Sequence, residues 1–269
     1  MKIFVCVKHV PDTAVNITIV GPNQIDESVR FIMNPYDEIA MAEAARIKSL
    51  HPGSEVVVVC LGKESAVNSI RLALALGADR GIFIKTTIRP DSALTARALR
   101  AVIQADGRPD LIFTGRHSID SEGMQTGFRL AAGLGLPVVT NVSSLKITDG
   151  RAVVERDMEA GSREVIEVNL PCVIGAAKDL IDPPYPKLPE VMKARKKPIK
   201  EIALASLGLT VPLGGLEIVE LETAQETRRR QLIKGAPAEM VDQFVEALFR
   251  ETIVFESAVG AANEAVNHG

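Results

Sequence analysis

Length, composition and charge exclude several classes of protein. The chain has 269 residues, 46% of them hydrophobic and 24% charged, which is enough to bury a substantial core. Its net charge of −3 argues against a nucleic-acid-binding protein, and no apolar run reaches the ~18 residues of a membrane span.

The cysteines and the first residues indicate a cytoplasmic protein. Cys6, Cys60 and Cys172 lie in apolar, strand-like runs and form no Cys-x-x-Cys pair, so we expect buried, reduced thiols. Met1 and Lys2 lead directly into a short strand-like run, which does not resemble a secretory signal.

The N-terminal half alternates between predicted strands and predicted helices. Continuous apolar runs predict strands at Ile3–Val7, Glu55–Cys60, Arg80–Ile84, Leu111–Phe113 and Val138–Thr140, and a hairpin is possible at Asn16–Val20 and Ile25–Arg30. Helices are predicted to begin at Asn34-Pro35, after Ser65, at Asp91 and near Gln125. Strands without polar alternation that are separated by helices are typical of a doubly wound, mainly parallel α/β sheet.

The loop after Phe113 is the best candidate for a ligand site. Met124, Phe128, Ala131 and Ala132 have helical spacing, so a helix should begin near Gln125 and offer unpaired backbone N–H groups to a phosphate. Ligands of open parallel sheets bind at the carboxyl ends of the strands. On the loop alone, an ordinary strand-to-helix connection with a polar cap is the simpler interpretation.

The second half adds antiparallel strands and a proline-rich segment. Runs at Leu145–Ile147 and Ala152–Glu155 flank Asp149-Gly150, a hairpin signal, and Arg163–Val168 and Pro171–Ala176 follow. Prolines from Pro183 to Pro189 and the basic run that follows predict an exposed loop without regular structure. Leu188 and Met192 form either a docking patch with a basic rim or part of a solvated linker.

The last third is predicted to be an arm that packs on another chain. Glu239–Phe249 has the pattern of an amphipathic helix, but this region has too little core to stand alone. We therefore divide the chain into an α/β domain at residues 1–182, a proline-rich basic loop at 183–200 and an arm at 201–269.

Signals of catalysis are missing from the sequence. There is no Gly-x-Gly-x-x-Gly after the first strand and no Gly-Lys-Ser/Thr motif. The four histidines, His9, His51, His117 and His268, lack the spacing of metal ligands. We predict no catalytic residue and no metal site.

Six segments, in order and with intact spacing, resemble the beta subunit of electron transfer flavoprotein. They are Val5–Asp12, Met33–Ala40, Ile70–Arg80, Ser118–Gly127, Val154–Gly175 and Leu188–Lys197. Ala160 and Gly175 depart from the family signature, and Thr13 stands where some members carry Tyr. The C-terminal tail is longer than the family pattern.

The resemblance implies a Rossmann-like, adenine-nucleotide-binding fold with an antiparallel extension and a C-terminal arm. It also implies an obligate heterodimer with an alpha subunit, which carries most of the FAD, while this electron-carrier chain holds a structural AMP. The AMP site carries over to Cys6, Asn34, Pro35, Tyr36, Asp37, Leu61, Gly62, Ser118, Ile119, Asp120, Ser121, Glu122, Gly123, Met124, Gln125, Thr126, Gly127, Phe128 and Arg129. Thr13 and Tyr36 are expected near the FAD of the partner.

The resemblance further implies a role in fatty acid oxidation. Leu188 would enter a pocket on acyl-CoA dehydrogenases, and electrons would leave to electron transfer flavoprotein–quinone oxidoreductase or another acceptor. The rest of the docking set is Met192, Lys193, Arg195, Lys196 and Lys197. A bifurcating complex, with a second FAD in place of AMP and NADH as donor, is one alternative, although Gln125-Thr126-Gly127 resembles the AMP-type members. A non-redox nucleotide-binding protein of the same superfold is another.

Overall fold

The computed structural model describes residues 1–158, 161–209, 218–223 and 231–251. The chain forms two compact units, Met1–Leu221 and Glu222–Gly269. The strands are β1 (Lys2–Val7), β2 (His9–Pro11), β3 (Ile19–Gly21), β4 (Gln24–Ile25), β5 (Phe31–Met33), β6 (Glu55–Gly62), β7 (Arg80–Lys85), β8 (Leu111–Gly115), β9 (Val138–Thr148), β10 (Arg151–Asp157), β11 (Arg163–Asn169), β12 (Cys172–Ala176) and β13 (Ile199–Ala203). The α-helices are α1 (Pro35–Leu50), α2 (Val67–Ala75), α3 (Ser92–Asp106), α4 (Thr126–Leu134), α5 (Leu188–Ala194) and α6 (Pro237–Glu251).

Nine strands form one central sheet in the order β11-β10-β9-β12-β8-β1-β6-β7-β13. In the spatial order β9-β12-β8-β1-β6-β7-β13, every pair of neighbouring strands is parallel. Strand β10 pairs antiparallel with both β9 and β11. The chain adds β6 and β7 on one side of β1 and then returns through α3 to place β8 on the other side. The predicted doubly wound α/β fold with an antiparallel extension is confirmed.

Apolar side chains cover both faces of the sheet, which explains why its strands read as continuous apolar runs. Ile3 and Val5 of β1 face a core that includes Met41 of α1. Phe4, between them, faces a second core that includes Val102 of α3. The three cysteines are buried and unpaired, as predicted. Among the described residues, no helix combines the length and apolar character needed to cross a membrane.

Strand β9 corrects two of the predicted strands. The runs Val138–Thr140 and Leu145–Ile147 belong to one strand, which pairs with β12 through its first part and with β10 through the rest. Asn141 lies between the two runs with φ 60, and its side-chain amide donates to the Asp157 carbonyl. This irregularity lets one strand serve two neighbours, while its polar residues break the apolar pattern. The hairpin expected nearer the N-terminus is shorter than predicted, with strands β3 and β4.

The proline-rich segment is also more regular than predicted. Helix α5 begins at Leu188, and Pro189 occupies its first turn, where the missing N–H group costs no helical hydrogen bond. Strand β13 then pairs in parallel with β7 at the edge of the sheet. The prediction that residues 183–200 lack regular structure is therefore wrong, because prolines at a helix start are compatible with the helix. The amphipathic helix expected near the C-terminus is present as α6.

Charged side chains join four elements at the amino edge of the sheet. Arg80, at the start of β7, binds Glu55 of β6 at 2.7 Å and Asp106 of α3 at 2.6 Å. Lys2 of β1 also binds Asp106, at 2.8 Å. The Arg80 guanidinium holds the pKa of Asp106 at about 2, although partial burial opposes this shift.

Replacing Arg80 with Met should lower the free energy of unfolding by about 1 kcal/mol at pH 7, because the ion pairs keep some contact with screening water. The folded-state pKa of Asp106 is depressed, so its stabilisation is present above its ordinary pKa and is lost as the pH falls through about 2. Urea unfolding at several pH values should show the deficit vanish near that pH. Arg100→Met, on the exposed face of α3, is the matched control, and an equal deficit in both variants would contradict the prediction.

Candidate functional site

The candidate site lies at the carboxyl edge of the sheet, between β1 and β8. These neighbouring strands are the point where the order of the sheet reverses. Lys8 directly follows β1, and residues 116–125 connect β8 to α4. Open α/β sheets bind ligands at this kind of switch point, because the loops on either side of it diverge and leave a crevice.

Asn34 fixes the loop after β8. It occupies the N-cap position of α1, as predicted, but its side chain makes no capping hydrogen bond. Its amide nitrogen instead donates to the carbonyl of His117 at 2.8 Å, and its amide oxygen accepts from the backbone N–H of Ile119 at 3.1 Å. The buried Asn34 side chain therefore satisfies backbone hydrogen-bonding groups of this loop that have no neighbouring strand to bind.

Asp37, in the first turn of α1, joins the ends of β1 and β8. One carboxylate oxygen accepts from the backbone N–H of Lys8 at 2.7 Å, and the other accepts from that of Gly115 at 2.9 Å. Burial raises the pKa of Asp37 to about 7, and the two backbone hydrogen bonds act against this rise. Gly115 is required here, since a Cβ atom would lie 2.4 Å from the Asp37 carboxylate.

Asp120 forms ion pairs with two cationic side chains from distant parts of the chain. Its carboxylate binds Lys8 at 2.6 Å and Arg89, in the loop after β7, at 2.9 Å. The Lys8 ammonium group also reaches the hydroxyl of Ser118 at 3.2 Å. Burial acts to raise the pKa of Asp120, but Lys8 and Arg89 outweigh it and hold that pKa below its ordinary value. Asp120 therefore stays charged and organises the cations around it.

The start of α4 differs from the predicted helical stripe. The helix begins at Thr126, and Glu122 and Met124 before it have φ values of 47 and 52. Met124 and Phe128, expected on the buried stripe, are 42% and 46% exposed, and Ala132 is exposed as well. The buried residues of α4 are Leu130 and Ala131, so the stripe is wrong apart from Ala131. Apolar side chains consequently stand in solvent beside a polar loop.

The remaining predicted site residues surround the same edge. Cys6 is buried at the end of β1, and Leu61 and Gly62 are half-buried at the end of β6. Tyr36 packs against the ring of His117, with ring centroids 4.4 Å apart. Pro35, Ser121, Gly123, Gln125 and Arg129 are exposed, Thr126 and Gly127 are half-buried, and Thr13 is exposed after β2.

The groups at this edge suit a phosphate-bearing ligand. Lys8, Arg89 and Arg129 supply positive charge, and the first turn of α4 supplies backbone N–H groups. Gly127 brings its backbone close to Thr114, since a Cβ atom would lie 3.1 Å from the Thr114 hydroxyl. The sequence analysis missed Lys8 and Arg89 as site residues. Their signal was their position, directly after β1 and within the loop after β7, because the ends of parallel strands share one edge.

The proposed docking residues lie on and after α5, which is anchored to α2. Arg71 of α2 donates to the carbonyls of Ala194 and Lys197, both at 2.9 Å. Leu188 and Met192, one helical turn apart, are 73% and 51% exposed. Lys193, Arg195 and Lys196 are exposed too.

Lys197 differs from the other predicted docking residues. Its ammonium group donates to the carbonyls of Leu74 and Ala78, at 2.9 and 2.5 Å, near the C-terminal end of α2. Lys197 therefore anchors the segment after α5 to α2, and its positive charge interacts favourably with the negative end of the α2 dipole. No cluster of potential metal ligands occurs in the part of the chain that the structure describes.

Comparisons with known proteins identify one family. A family model described as the electron transfer flavoprotein domain matches residues 23–207. The mitochondrial electron transfer flavoprotein subunit beta of Arabidopsis thaliana is 36% identical over 258 residues, covering 94% of this chain and 100% of the relative. The subunit beta of Syntrophomonas wolfei is 36% identical over 206 residues, covering 77% and 81%. The caffeyl-CoA reductase-Etf complex subunit CarD of Acetobacterium woodii is 39% identical over 219 residues, covering 80% and 83%.

Replacing Asp37 with Asn should destabilise the chain in a pH-dependent way. Asn keeps one acceptor oxygen, so one of the two backbone N–H groups loses its partner at every pH. In the wild type, the raised pKa means that the stabilisation by protonated Asp37 is complete below its ordinary pKa and is lost as the pH rises through about 7. The difference in unfolding free energy should therefore shrink by on the order of 2–4 kcal/mol from pH 4 to pH 8. Chemical denaturation across this range measures it, and a constant difference would refute the raised pKa.

Proposed function

Because this chain belongs to the electron transfer flavoprotein family and is similar to its beta subunits over most of its length, we propose that it is an electron-carrier subunit that binds AMP. It pairs with an alpha subunit and passes electrons from acyl-CoA dehydrogenases to electron transfer flavoprotein–quinone oxidoreductase or another acceptor. The observation that carries the proposal is the carboxyl edge, where Asn34 and Asp37 fix the end of β8 and the loop after it, and Asp120 of that loop binds Lys8 and Arg89 from other parts of the chain.

The proposed AMP is a structural ligand. The loop from Ser118 to Arg129, together with Cys6, Asn34–Asp37, Leu61 and Gly62, would hold it. The exposed apolar side chains of Met124 and Phe128 support this assignment, since an adenine ring would remove apolar surface from water beside them. The cations at the same edge offer charge-assisted hydrogen bonds to the phosphate.

Electron transfer requires the partner subunit. FAD held with the alpha subunit would supply the one-electron chemistry, and this chain contributes binding and orientation. Thr13 is exposed after β2, and the ring of Tyr36 is fixed against His117 near the start of α1. These positions are compatible with the proposed contact of both residues with the flavin of the partner.

Docking to dehydrogenases is proposed for the face of α5. Leu188 offers an apolar anchor on a helix that Arg71 and Lys197 hold against α2. The exposed cations Lys193, Arg195 and Lys196 around it would attract an acidic partner and speed its association. A small apolar anchor with a charged rim suits a carrier that must release its partner quickly.

The similarity to a subunit of a caffeyl-CoA reductase-Etf complex supports a second candidate arrangement of cofactors. In that arrangement a second FAD occupies the site proposed for AMP, NADH is the donor, and the complex bifurcates electrons. The cytoplasmic location suggested by the sequence stays a prediction.

Replacing Leu188 with Ala should slow electron transfer from an acyl-CoA dehydrogenase by about tenfold, because a buried anchor of this size contributes one to two kcal/mol to docking. The steady-state rate with the alpha–beta complex measures the effect, and the melting temperature should not change. Val165→Ala, at an equally exposed position on β11, is the matched control. An unchanged rate in the Leu188 variant would refute the docking role.

The cofactor content of the purified alpha–beta complex should be one FAD and one AMP per heterodimer. Denaturing the complex and quantifying the released nucleotides by chromatography measures this ratio. Two FAD and no AMP would instead identify the bifurcating arrangement. Release of neither AMP nor a second FAD would contradict the proposed nucleotide site at this edge.

A further inference from the structure

The segment from Thr86 to Ser92, which we call the strap, crosses the carboxyl edge of the sheet. It connects β7 to α3, and β7 lies three strand positions from β8, which corresponds to about 14 Å. Arg89 of the strap nevertheless binds Asp120 in the loop after β8, and the Ser92 hydroxyl donates to Gln125 of the same loop. The strap therefore spans the distance taken up by β1 and β6, which lie between β7 and β8 in the sheet.

The strap brings an additional cation into the proposed nucleotide site. Asp120 carries one negative charge and binds both Lys8 and Arg89, so the trio has a net charge of +1. The Asp120 side chain is only 7% exposed, whereas the Arg89 side chain keeps 50% of its surface exposed. The carboxylate thus fixes the guanidinium group in place while leaving half of it open to a ligand.

Hydrogen-bond counting favours Arg89 over Lys8 as the group that contacts a ligand. The Lys8 ammonium group has three donors and three polar neighbours, namely Asp120, Ser118 and Ser121. Arg89 has five N–H donors and, among the described residues, uses one nitrogen, Nη2, on Asp120. A planar guanidinium with free donors matches the oxygens of a phosphate group.

We propose that Arg89 is a phosphate-binding residue of the nucleotide site, brought there by the strap and held by Asp120. The inference rests on the proposed function and deepens it, because it assigns recognition of the phosphate monoester to a residue outside the six segments named in the sequence analysis. The proposed contacts of the base are the exposed side chains of Met124 and Phe128, so we expect removal of the Arg89 charge to affect only ligands that carry phosphate.

The test compares AMP with adenosine on the alpha–beta complex after removal of its bound nucleotide. Isothermal titration should show that Arg89→Gln weakens AMP binding by about tenfold or more, as expected for a charge-assisted hydrogen bond, and leaves adenosine binding unchanged. Arg89→Lys, which keeps the charge, should recover much of the AMP affinity. Arg100→Gln, an exposed arginine on α3, is the matched control and should leave both affinities unchanged.

The outcomes separate the role of Arg89 from the nucleotide site itself. Equal AMP affinity in the wild type and the Arg89→Gln variant would overturn the role of Arg89 while leaving the proposed site intact. An equal loss for AMP and adenosine would show that the strap is only structural and would also overturn it. Inorganic phosphate that binds as tightly as AMP would indicate a free-anion site instead. A wild-type complex that binds no AMP would overturn the proposed AMP site, and this inference with it.

Discussion

The carboxylate of Asp37 holds together the elements that meet where the sheet reverses its order. A parallel sheet leaves the backbone N–H groups at the ends of its strands without partners, and such groups are costly when they are buried. Asp37, in the first turn of α1, accepts one hydrogen bond from the backbone N–H of the residue after β1 and one from that of the last residue of β8. The start of α1 and both strand ends are therefore fixed at the switch point.

The loop of the candidate site is ordered by the same part of α1. Asn34 binds the loop backbone on either side of Ser118, and Asp120 follows at the point where Lys8 and Arg89 converge. Buried polar groups of this kind specify one arrangement, because an unpaired partner would carry a large desolvation cost. A preformed polar loop limits the conformational entropy that any ligand of this edge would have to overcome.

Helix α5 combines a fixed base with an exposed surface. Arg71 donates to carbonyls at the C-terminal end of α5, and Lys197 donates to carbonyls at the C-terminal end of α2. Strand β13 follows α5 and extends the sheet. The apolar side chains of Leu188 and Met192 stay exposed on this base. A surface held in this way keeps its shape between encounters, which limits the conformational entropy lost when a partner binds.

Local patterns in the sequence determined much of this structure. Continuous apolar runs identified the parallel strands, and Asn34-Pro35 and Asp91 marked the starts of α1 and α3. The alternation of strands and helices also predicted that the loop after β8 lies at the carboxyl edge of a parallel sheet. These features depend on neighbouring residues, so periodicity and capping rules capture them. The six matching segments likewise indicated the family, and the match of the family model to residues 23–207 confirms it.

Tertiary structure decided which side chains share the site. Arg89 and Asp120 are 31 residues apart, and Lys8 and Asp120 are 112 apart, so no local pattern predicts their contacts. The Asn34 side chain turned from its own helix to a distant loop, and Phe128 stayed exposed because the faces of α4 are set by what packs against it. Helix α5 formed with Pro189 in its first turn, and Arg71 of α2 binds the carbonyl of Ala194 at its C-terminal end. Local residue patterns set the elements, whereas the packing of distant segments set their faces and contacts.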